Sequence, residues 1–313
     1  MREEIIVSGR ANHLIDPHLH IWHWQIPLYL FLGGLAAGIL FFAGLYTLQG
    51  KEKKYRTATR VAPHVVPFLL ILGLIALFLD LKHQLYFWRL YTTIRLESPM
   101  SWGAWVLMLV TPLSIIWSAI HIREILPNWN WRFRFLMVLE SFFTKQKRLL
   151  AWIMVVSSVI LGVYTGILFS AFNARPLWNT SILGPLFLAS GLSAGAAAIM
   201  LLSKNHEERV TFARIDIGII IVELFLIVHM FMGFLASTQV QINAAQLFLG
   251  GPYTASFWIF VVILGMILPV ILEILELRKF RVPVLIPTVL VLFGSLMLRF
   301  LIAFAGQESR WLY

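Results

Sequence analysis

The sequence contains no cysteine and few charged residues, and each scarcity excludes a class of protein. Without cysteine, the protein cannot hold an iron–sulfur cluster through thiolate ligands and cannot form a disulfide. Only 13% of the residues are Asp, Glu, Lys or Arg, while 59% are hydrophobic, and a soluble domain carries about twice that charged share. The protein is therefore predicted to be an integral membrane protein, and any iron–sulfur cluster would belong to a partner.

Eight apolar runs have the length of about twenty residues that a helix needs to cross a bilayer. They cover residues 26–48, 61–79, 102–122, 149–171, 182–202, 215–237, 255–277 and 282–304. The sequence therefore predicts an all-α fold with eight transmembrane helices, which places both termini on the same side. The polar segment 1–25 carries charges and an Asp-Pro pair, so we expect a retained N-terminus and not a cleaved signal peptide.

The net charge of +10 indicates membrane topology and does not indicate nucleic-acid binding. Most of the 25 Lys and Arg residues lie in short loops after the first, third, fifth and seventh runs. Loops rich in Lys and Arg usually face the cytoplasm. We therefore expect both termini, and the loops near residues 80–101, 172–181 and 238–254, on the outer side, which is the periplasmic side in a prokaryotic inner membrane. The long loop 123–148 is expected to lie along the membrane surface as an amphipathic segment.

A weak internal repeat predicts two tandem four-helix bundles. The motif GLAAG at 34–38 recurs as GLSAG at 191–195, each after a Pro-Leu pair, and Pro99 and Trp105 before the third helix match Pro252 and Trp258 before the seventh. Because the matches recur in the same order and orientation, the halves are expected to be parallel. We divide the sequence into residues 1–148 (the N-terminal extension and three helices), 149–181 (the helix that completes the first bundle) and 182–313 (the second bundle).

Ionisable and hydrogen-bonding residues inside membrane helices are costly and usually face a pocket or a bundle interior. In the first half they cluster toward the outer side, on helices one, two and four, and comprise His23, Gln25, Tyr29, Asp80, His83 and Tyr164. In the second half they occupy staggered depths and predict a hydrated proton path through Glu223, His229, Glu273 and Arg299. A membrane tyrosine or a terminal aspartate is also typical of an interface anchor or a helix cap, and Arg299 could simply pair with Glu223.

Haem is not favoured, because it needs two axial ligands at one depth on neighbouring helices. His64 and His121 lie at the cytoplasmic ends of their predicted helices, whereas His83 and His229 lie toward the outside. We also expect no metal site in this protein.

Several separated segments together resemble the NrfD-type family, which includes the membrane subunit of polysulfide reductase. They are PLYLFLGGLAAG at 27–38, SPMSWGAW at 98–105, GVYTGILFS at 162–170, ARPLWNT at 174–180 with SGLSAG at 190–195, and Leu298-Arg299 followed by AGQ at 305–307. The resemblance covers nearly the whole sequence. Five matches in order are far more specific than any one of them.

The resemblance implies a haem-free, quinone-interacting membrane subunit of a larger complex. Such a subunit exchanges electrons between a menaquinone or ubiquinone pool and an outer-face ferredoxin-like subunit with [4Fe–4S] clusters, which serves a molybdopterin catalytic subunit. The quinone-site tyrosine of the family corresponds to Tyr164, its acidic residue on helix two to Asp80, and its polar positions on helix one to residues 25–29. This sequence differs from the family pattern at two positions. Tyr29 stands where polysulfide reductase has a histidine, and Ile26 stands where it has an asparagine.

The first functional hypothesis is therefore a quinone-reactive subunit of an oxidoreductase. In it, Tyr164 and Asp80 act on the quinone, with His23, Gln25 or Tyr29 at the second carbonyl oxygen and His83 as a relay to water. Apolar walls are expected from Trp22, Trp24 and Phe31. The alternatives are a secondary transporter, for which tandem repeats with charges inside the membrane are also expected, and a structural anchor without quinone chemistry.

Overall fold

The computed structural model describes residues 22–310, which contain helices and no β-strand. Eight helices are long and apolar enough to cross a membrane, which confirms the predicted number of spans and a multi-pass membrane protein. They are α1 (Gln25–Leu48), α2 (Thr57–Asp80), α3 (Pro99–Ile120), α4 (Lys147–Ser170), α5 (Leu183–Leu202), α6 (His206–Leu235), α7 (Thr254–Leu277) and α8 (Leu285–Glu308). Most of the polar segment 1–25, with the predicted retained N-terminus, lies outside the described residues.

Helix α6 begins nine residues before the predicted start at 215, so that boundary was wrong. The side chain of Asn205 accepts a hydrogen bond of 3.0 Å from the backbone N–H of Glu207, and Glu207 and Glu208 lie in the first turn. An N-cap side chain and early acidic residues stabilise a helix N-terminus, so polar residues extend the helix beyond the apolar run. Its 30 residues span about 45 Å, which exceeds a hydrocarbon core of about 30 Å.

Helix α2 opens irregularly and is anchored by a buried carboxylate. Its first residues form a π turn (Thr57–Val61) and a 3₁₀ turn (Ala62–Val65), which contains Pro63 and so lacks one backbone N–H donor. The buried side chain of Glu208 accepts hydrogen bonds from the backbone N–H groups of Thr57 (3.3 Å) and Ala58 (2.9 Å). This contact joins the start of α6 to the start of α2.

The two glycine motifs of the repeat pack against each other in the centre of the molecule. Gly38 of α1 lies so close to α5 that a Cβ atom there would stand 2.1 Å from the carbonyl oxygen of Gly191. Small residues allow this approach of two membrane helices. Since α1 also packs against α2, α4 and α8, it belongs to one continuous core, and the division into two bundles stays a prediction.

The two ends of the bundle differ in composition. We call the basic face the end that holds the connections after α1, α3, α5 and α7, where most of the Lys and Arg residues lie. The connection before α4 contains a further helix, Arg134–Lys145, whose Glu140 accepts hydrogen bonds from Arg123 and from the indole of Trp131.

We call the opposite end the site face. There the backbone of Trp22 and the side chain of Gln307 exchange two hydrogen bonds of 2.9 Å each. The first and last described segments of the protein therefore lie on the same face.

Candidate functional site

A small cavity at the site face brings together three of the predicted side chains. Tyr29 of α1, Asp80 at the end of α2 and Tyr164 of α4 all line this cavity, which has a volume of about 100 Å³. The volume is about two-thirds of the roughly 150 Å³ of a cavity that binds benzene. We call it the site cavity, and its size suits one aromatic ring.

Tyr164 reaches the cavity because α3 carries a glycine opposite it. A Cβ atom on Gly103 would stand 1.9 Å from Cζ and 2.1 Å from the hydroxyl oxygen of Tyr164. Any larger residue would displace the phenol. Among the described residues the Tyr164 hydroxyl has no hydrogen-bond partner, although the side chain is only 8% exposed, so its O–H is available to a ligand in the cavity.

Tyr29 and Asp80 approach from the other side. Tyr29 packs on Gly73 of α2, where a Cβ atom would lie 3.5 Å from its ring, and it lines the cavity together with Ile26 one turn earlier. Asp80 ends α2. Its carboxylate lies 3.9 Å from Nδ1 of His23, whose side chain is 65% exposed. His23 therefore links the carboxylate to solvent.

Tyr91 supplies a third phenol that the sequence analysis missed. It belongs to the short helix Arg89–Thr92 in the α2–α3 connection and lines the site cavity. Burial raises the pKa of Tyr91, so its phenol stays protonated at neutral pH and can donate a hydrogen bond. The residue was missed because only the apolar runs were searched for polar side chains, and an aromatic-rich loop was the signal that could have found it.

An apolar groove of about 530 Å³ runs along the other side of Tyr164. It lies between α3 and α4, and its walls include Trp102, Ile160, Val163 and Ile167. Tyr164 lines both the groove and the site cavity. Tyr164 therefore stands between the site cavity, which holds three phenols and one carboxylate among apolar walls, and an apolar groove on the flank of the bundle.

Four other predicted residues do not line the site cavity. Gln25 begins α1, and its buried amide oxygen has no hydrogen-bond partner among the described residues. His83 lies beyond the extended Leu81 and lines a separate surface cavity of about 480 Å³. The helix stops at Asp80, so His83 is not one helical turn further along. Of the expected aromatic walls, Trp22 lines the cavity, whereas Trp24 is exposed and Phe31 lies elsewhere.

Trp22 is held in place by residues from the segments that carry the family resemblance. Its ring stacks on Trp178 at 5.2 Å between centroids, and the indole N–H of Trp178 donates to the backbone oxygen of Ile302 at 2.8 Å. Gln307 binds the Trp22 backbone. Segments far apart in sequence thus build one wall of the site cavity.

The second half contains a buried arginine with many hydrogen bonds. The Nη1 atom of Arg299 donates to the hydroxyl of Ser190 (2.7 Å) and to the backbone and hydroxyl oxygens of Ser295, while Nη2 donates to the backbone oxygen of Phe187 (3.1 Å). Gly34 leaves room for this guanidinium, because a Cβ atom there would stand 2.9 Å from Nη2. Within residues 22–310, Arg299 and Glu223 form no ion pair within 4.0 Å, although their charges interact.

Three carboxylates of the second half, of which Glu223 interacts with Arg299, are buried and have oxygens without hydrogen-bond partners among the described residues. Asp216 and Glu273 are fully buried and face each other across α6 and α7, with Ser193 beside Asp216, and among the described residues neither carboxylate has a hydrogen bond of 3.5 Å or less. Glu223 lies two turns beyond Asp216 on α6, and its Oε1 is also unpaired. His229 is not part of this group, because it lies on an exposed face of α6 and stacks on Phe225.

Asp216 is a residue that the sequence analysis missed. The predicted span began at residue 215, so Asp216 was placed at the end of a membrane helix, where charged residues are common. Within residues 22–310 no group of three or more His, Asp or Glu side chains is arranged to hold a metal ion.

Comparisons with known proteins show the family. The family described as "Polysulphide reductase, NrfD" matches residues 13–309. The protein is 35% identical over 304 residues to "Protein NrfD" of Escherichia coli (92% of this protein, 95% of the relative) and 31% identical over 301 residues to the C chain of the polysulfide reductase of Wolinella succinogenes (92% and 94%). It is 22% identical over 265 residues to the "Hdr-like menaquinol oxidoreductase integral membrane subunit" of Archaeoglobus fulgidus, which covers 79% of this protein and 60% of the relative. The protein therefore belongs to the polysulphide reductase NrfD family.

Proposed function

We propose that the protein is the membrane subunit of an oxidoreductase complex and that it binds a quinone in the site cavity. The observation that carries the proposal is the pair of phenols without described hydrogen-bond partners, Tyr29 and Tyr164, beside Asp80 in a cavity of ring size. The names of two relatives, a subunit of polysulfide reductase and a menaquinol oxidoreductase membrane subunit, point to the same class of complex.

The side chains present fit a menaquinone or ubiquinone. When bound, such a molecule carries two electrons and two protons between its quinone and quinol forms. Tyr164 can donate a hydrogen bond to one ring oxygen, and Tyr29 or Tyr91 can donate to the other, because all three line one small cavity. The apolar groove beside Tyr164 offers a surface for the isoprenoid tail.

Asp80 is the group placed to exchange protons with a bound quinol. It lines the cavity and lies 3.9 Å from the mostly exposed His23. A carboxylate within reach of the ligand and a solvent-exposed imidazole behind it form a short proton route to water. The route opens at the site face, where the loops 82–101 and 172–181 also lie.

The electrons need an acceptor or donor outside this protein. The sequence has no cysteine, so iron–sulfur clusters would belong to a partner that docks on the site face, close to the cavity. By the resemblance, that partner is a ferredoxin-like [4Fe–4S] subunit that serves a molybdopterin catalytic subunit in a prokaryotic inner membrane. A transporter would need no such partner, so copurification separates that alternative, whereas a structural anchor without quinone chemistry is separated by quinone turnover in the variants below.

The test uses Tyr164→Phe and Asp80→Asn in the intact complex. Each variant removes one proton-transferring group with little change in volume. We expect assembly with the partner subunits to be unchanged and quinone turnover to slow by at least about tenfold, the lower range for losing a positioned acid or base. Turnover equal to wild type in both variants would refute the proposed site.

A second function, proton movement through the second half, is favoured by the unpaired carboxylates. Buried carboxyl groups without partners need a proton or water. Asp216 and Glu273 face each other, and Glu223 lies two turns further along α6. Arg299 lies beyond Glu223. In this arrangement Asp216 takes the place that the sequence analysis gave to His229.

The proton path is tested with Asp216→Asn and Glu223→Gln in proteoliposomes. We expect quinone turnover to continue while turnover-driven proton uptake falls by at least about fivefold, because a neutral amide cannot carry a proton along the path. His229→Gln is the matched control, since its side chain is exposed. Proton uptake equal to wild type in both carboxyl variants would show that the group is only structural.

A further inference from the structure

A cavity outside the site lies at the basic face, and nothing in the proposed redox function uses it. It has a volume of about 690 Å³ and is formed by the first turns of α6, the end of α7 and the α7–α8 connection. We call it the basic cavity. Four cationic side chains line it, namely Arg209, Arg214, Lys279 and Arg281, against one acidic side chain, Glu276.

The four cations have no ionic partner in the described part of the protein. None forms a salt bridge or a side-chain hydrogen bond between residues 22 and 310, and Nε of Arg209 is buried without a partner. The other basic cluster on this face differs, because Arg60 is paired with Glu52 and Glu124 and Lys147 with Glu52. Four cations that share a cavity with one carboxylate repel one another, so a bound anion would stabilise the basic cavity, as Glu52 and Glu124 do in the neighbouring cluster.

The backbone conformation at position 279 favours glycine, but the residue there is a lysine. Lys279 has a φ of 68°, and among residues 22–310 it is the one non-glycine residue with a positive φ. Its N–H donates to Glu276 and the N–H of Phe280 donates to Leu275, which is the Schellman end of a helix, where glycine is usual. Glycine would be the preferred residue at this position. The sequence has a lysine instead, which places a positive charge at the basic cavity.

The surroundings indicate what kind of anion fits. The basic cavity also has apolar walls, which include Phe280, Val282 and Val284, and Phe280 is largely exposed. Helix α6 is longer than a bilayer core, so its first turns lie at the membrane surface. Cations above apolar side chains at that depth match a phosphate group above acyl chains. We propose that the basic cavity binds an anionic phospholipid through its phosphodiester group, held by Arg209, Arg214, Lys279 and Arg281.

The test measures lipid binding to the purified, delipidated full-length protein by native mass spectrometry. Phosphatidylglycerol is the probe, and phosphatidylcholine with the same acyl chains is the neutral comparison. We expect phosphatidylglycerol to bind at least about tenfold more tightly, and millimolar inorganic phosphate to leave most of it bound. Equal binding of the two lipids, or complete displacement by inorganic phosphate, would overturn the proposal, the latter in favour of a free-anion site.

Two variants remove charge from the basic cavity. Lys279→Gly relieves the positive-φ backbone, so folding is preserved, and the loss of one cation should weaken phosphatidylglycerol binding about fivefold. The double variant Arg214→Gln/Arg281→Gln should weaken it more than about tenfold. The double variant Lys51→Gln/Lys53→Gln is the matched control, because it removes two exposed charges of the α1–α2 loop. Unchanged binding in Lys279→Gly, or an equal loss in the control, would contradict the assignment.

Discussion

The phenols of the site cavity and the guanidinium of Arg299 are both buried between membrane helices, but they differ in how many hydrogen bonds they form. The phenols of Tyr29 and Tyr164 line open volume and have no described hydrogen-bond partners. The guanidinium of Arg299 donates hydrogen bonds to Ser190, Ser295 and Phe187 and fills the space that Gly34 leaves. Polar groups without partners are available to a ligand, whereas a group that donates several hydrogen bonds to neighbouring helices, as Arg299 does through both Nη atoms, holds those helices together. Substitutions should therefore affect turnover in the first region and stability in the second.

The largest effect on stability is expected from Arg299→Leu. The change removes the hydrogen bonds to α5 and leaves buried oxygens without donors, so the free energy of unfolding should fall by at least about 3 kcal/mol. The measurement is the thermal unfolding midpoint of the detergent-solubilised protein, followed by tryptophan fluorescence.

Arg132→Leu is the matched control, because Arg132 is exposed in the α3–α4 connection, and it should leave the midpoint unchanged. If Arg299→Leu instead kept the wild-type midpoint and only slowed turnover, the contrast between the two regions would be wrong.

A smaller effect on stability, but a clear one on turnover, is expected from Gly103→Ala. The added methyl group would overlap the phenol of Tyr164, so the phenol must move away from the ring oxygen that it binds. We expect quinone turnover of the intact complex to fall about tenfold, similar to the loss of the phenol itself.

Gly218→Ala adds the same methyl group where no atom lies within 4 Å, and it should match wild type. Full activity in Gly103→Ala would mean that the position of the Tyr164 phenol is unimportant for turnover.

The sequence allowed the spans to be predicted but not where each one ends. Eight apolar runs give eight helices because length and hydropathy decide whether a segment crosses a bilayer. The start of α6 was wrong because Asn205 and Glu207 extend the helix into polar sequence. Helix ends depend on such capping contacts, which apolar runs do not reveal.

The candidate site could be predicted only in part, for a similar reason. The resemblance selected Tyr29, Asp80 and Tyr164, and the structure brings these three together. Tyr91 was missed because it reaches the cavity from a loop outside the apolar runs, and the role of Gly103 depends on a contact between α3 and α4. The position of a residue in an apolar run indicates its depth in the membrane. Which neighbouring helix its side chain contacts depends on how the helices pack.

The most direct test is to locate the quinone itself. A photoreactive quinone analogue should be crosslinked in the purified complex and the labelled peptides identified by mass spectrometry. The proposal predicts labels on the site-face ends of α1, α2 and α4, near Tyr29, Asp80 and Tyr164, with labelling suppressed by excess native quinone. Suppressible labels on α6 or α7 near His229 or Glu273, and none near Tyr164, would contradict it and place the quinone in the second half.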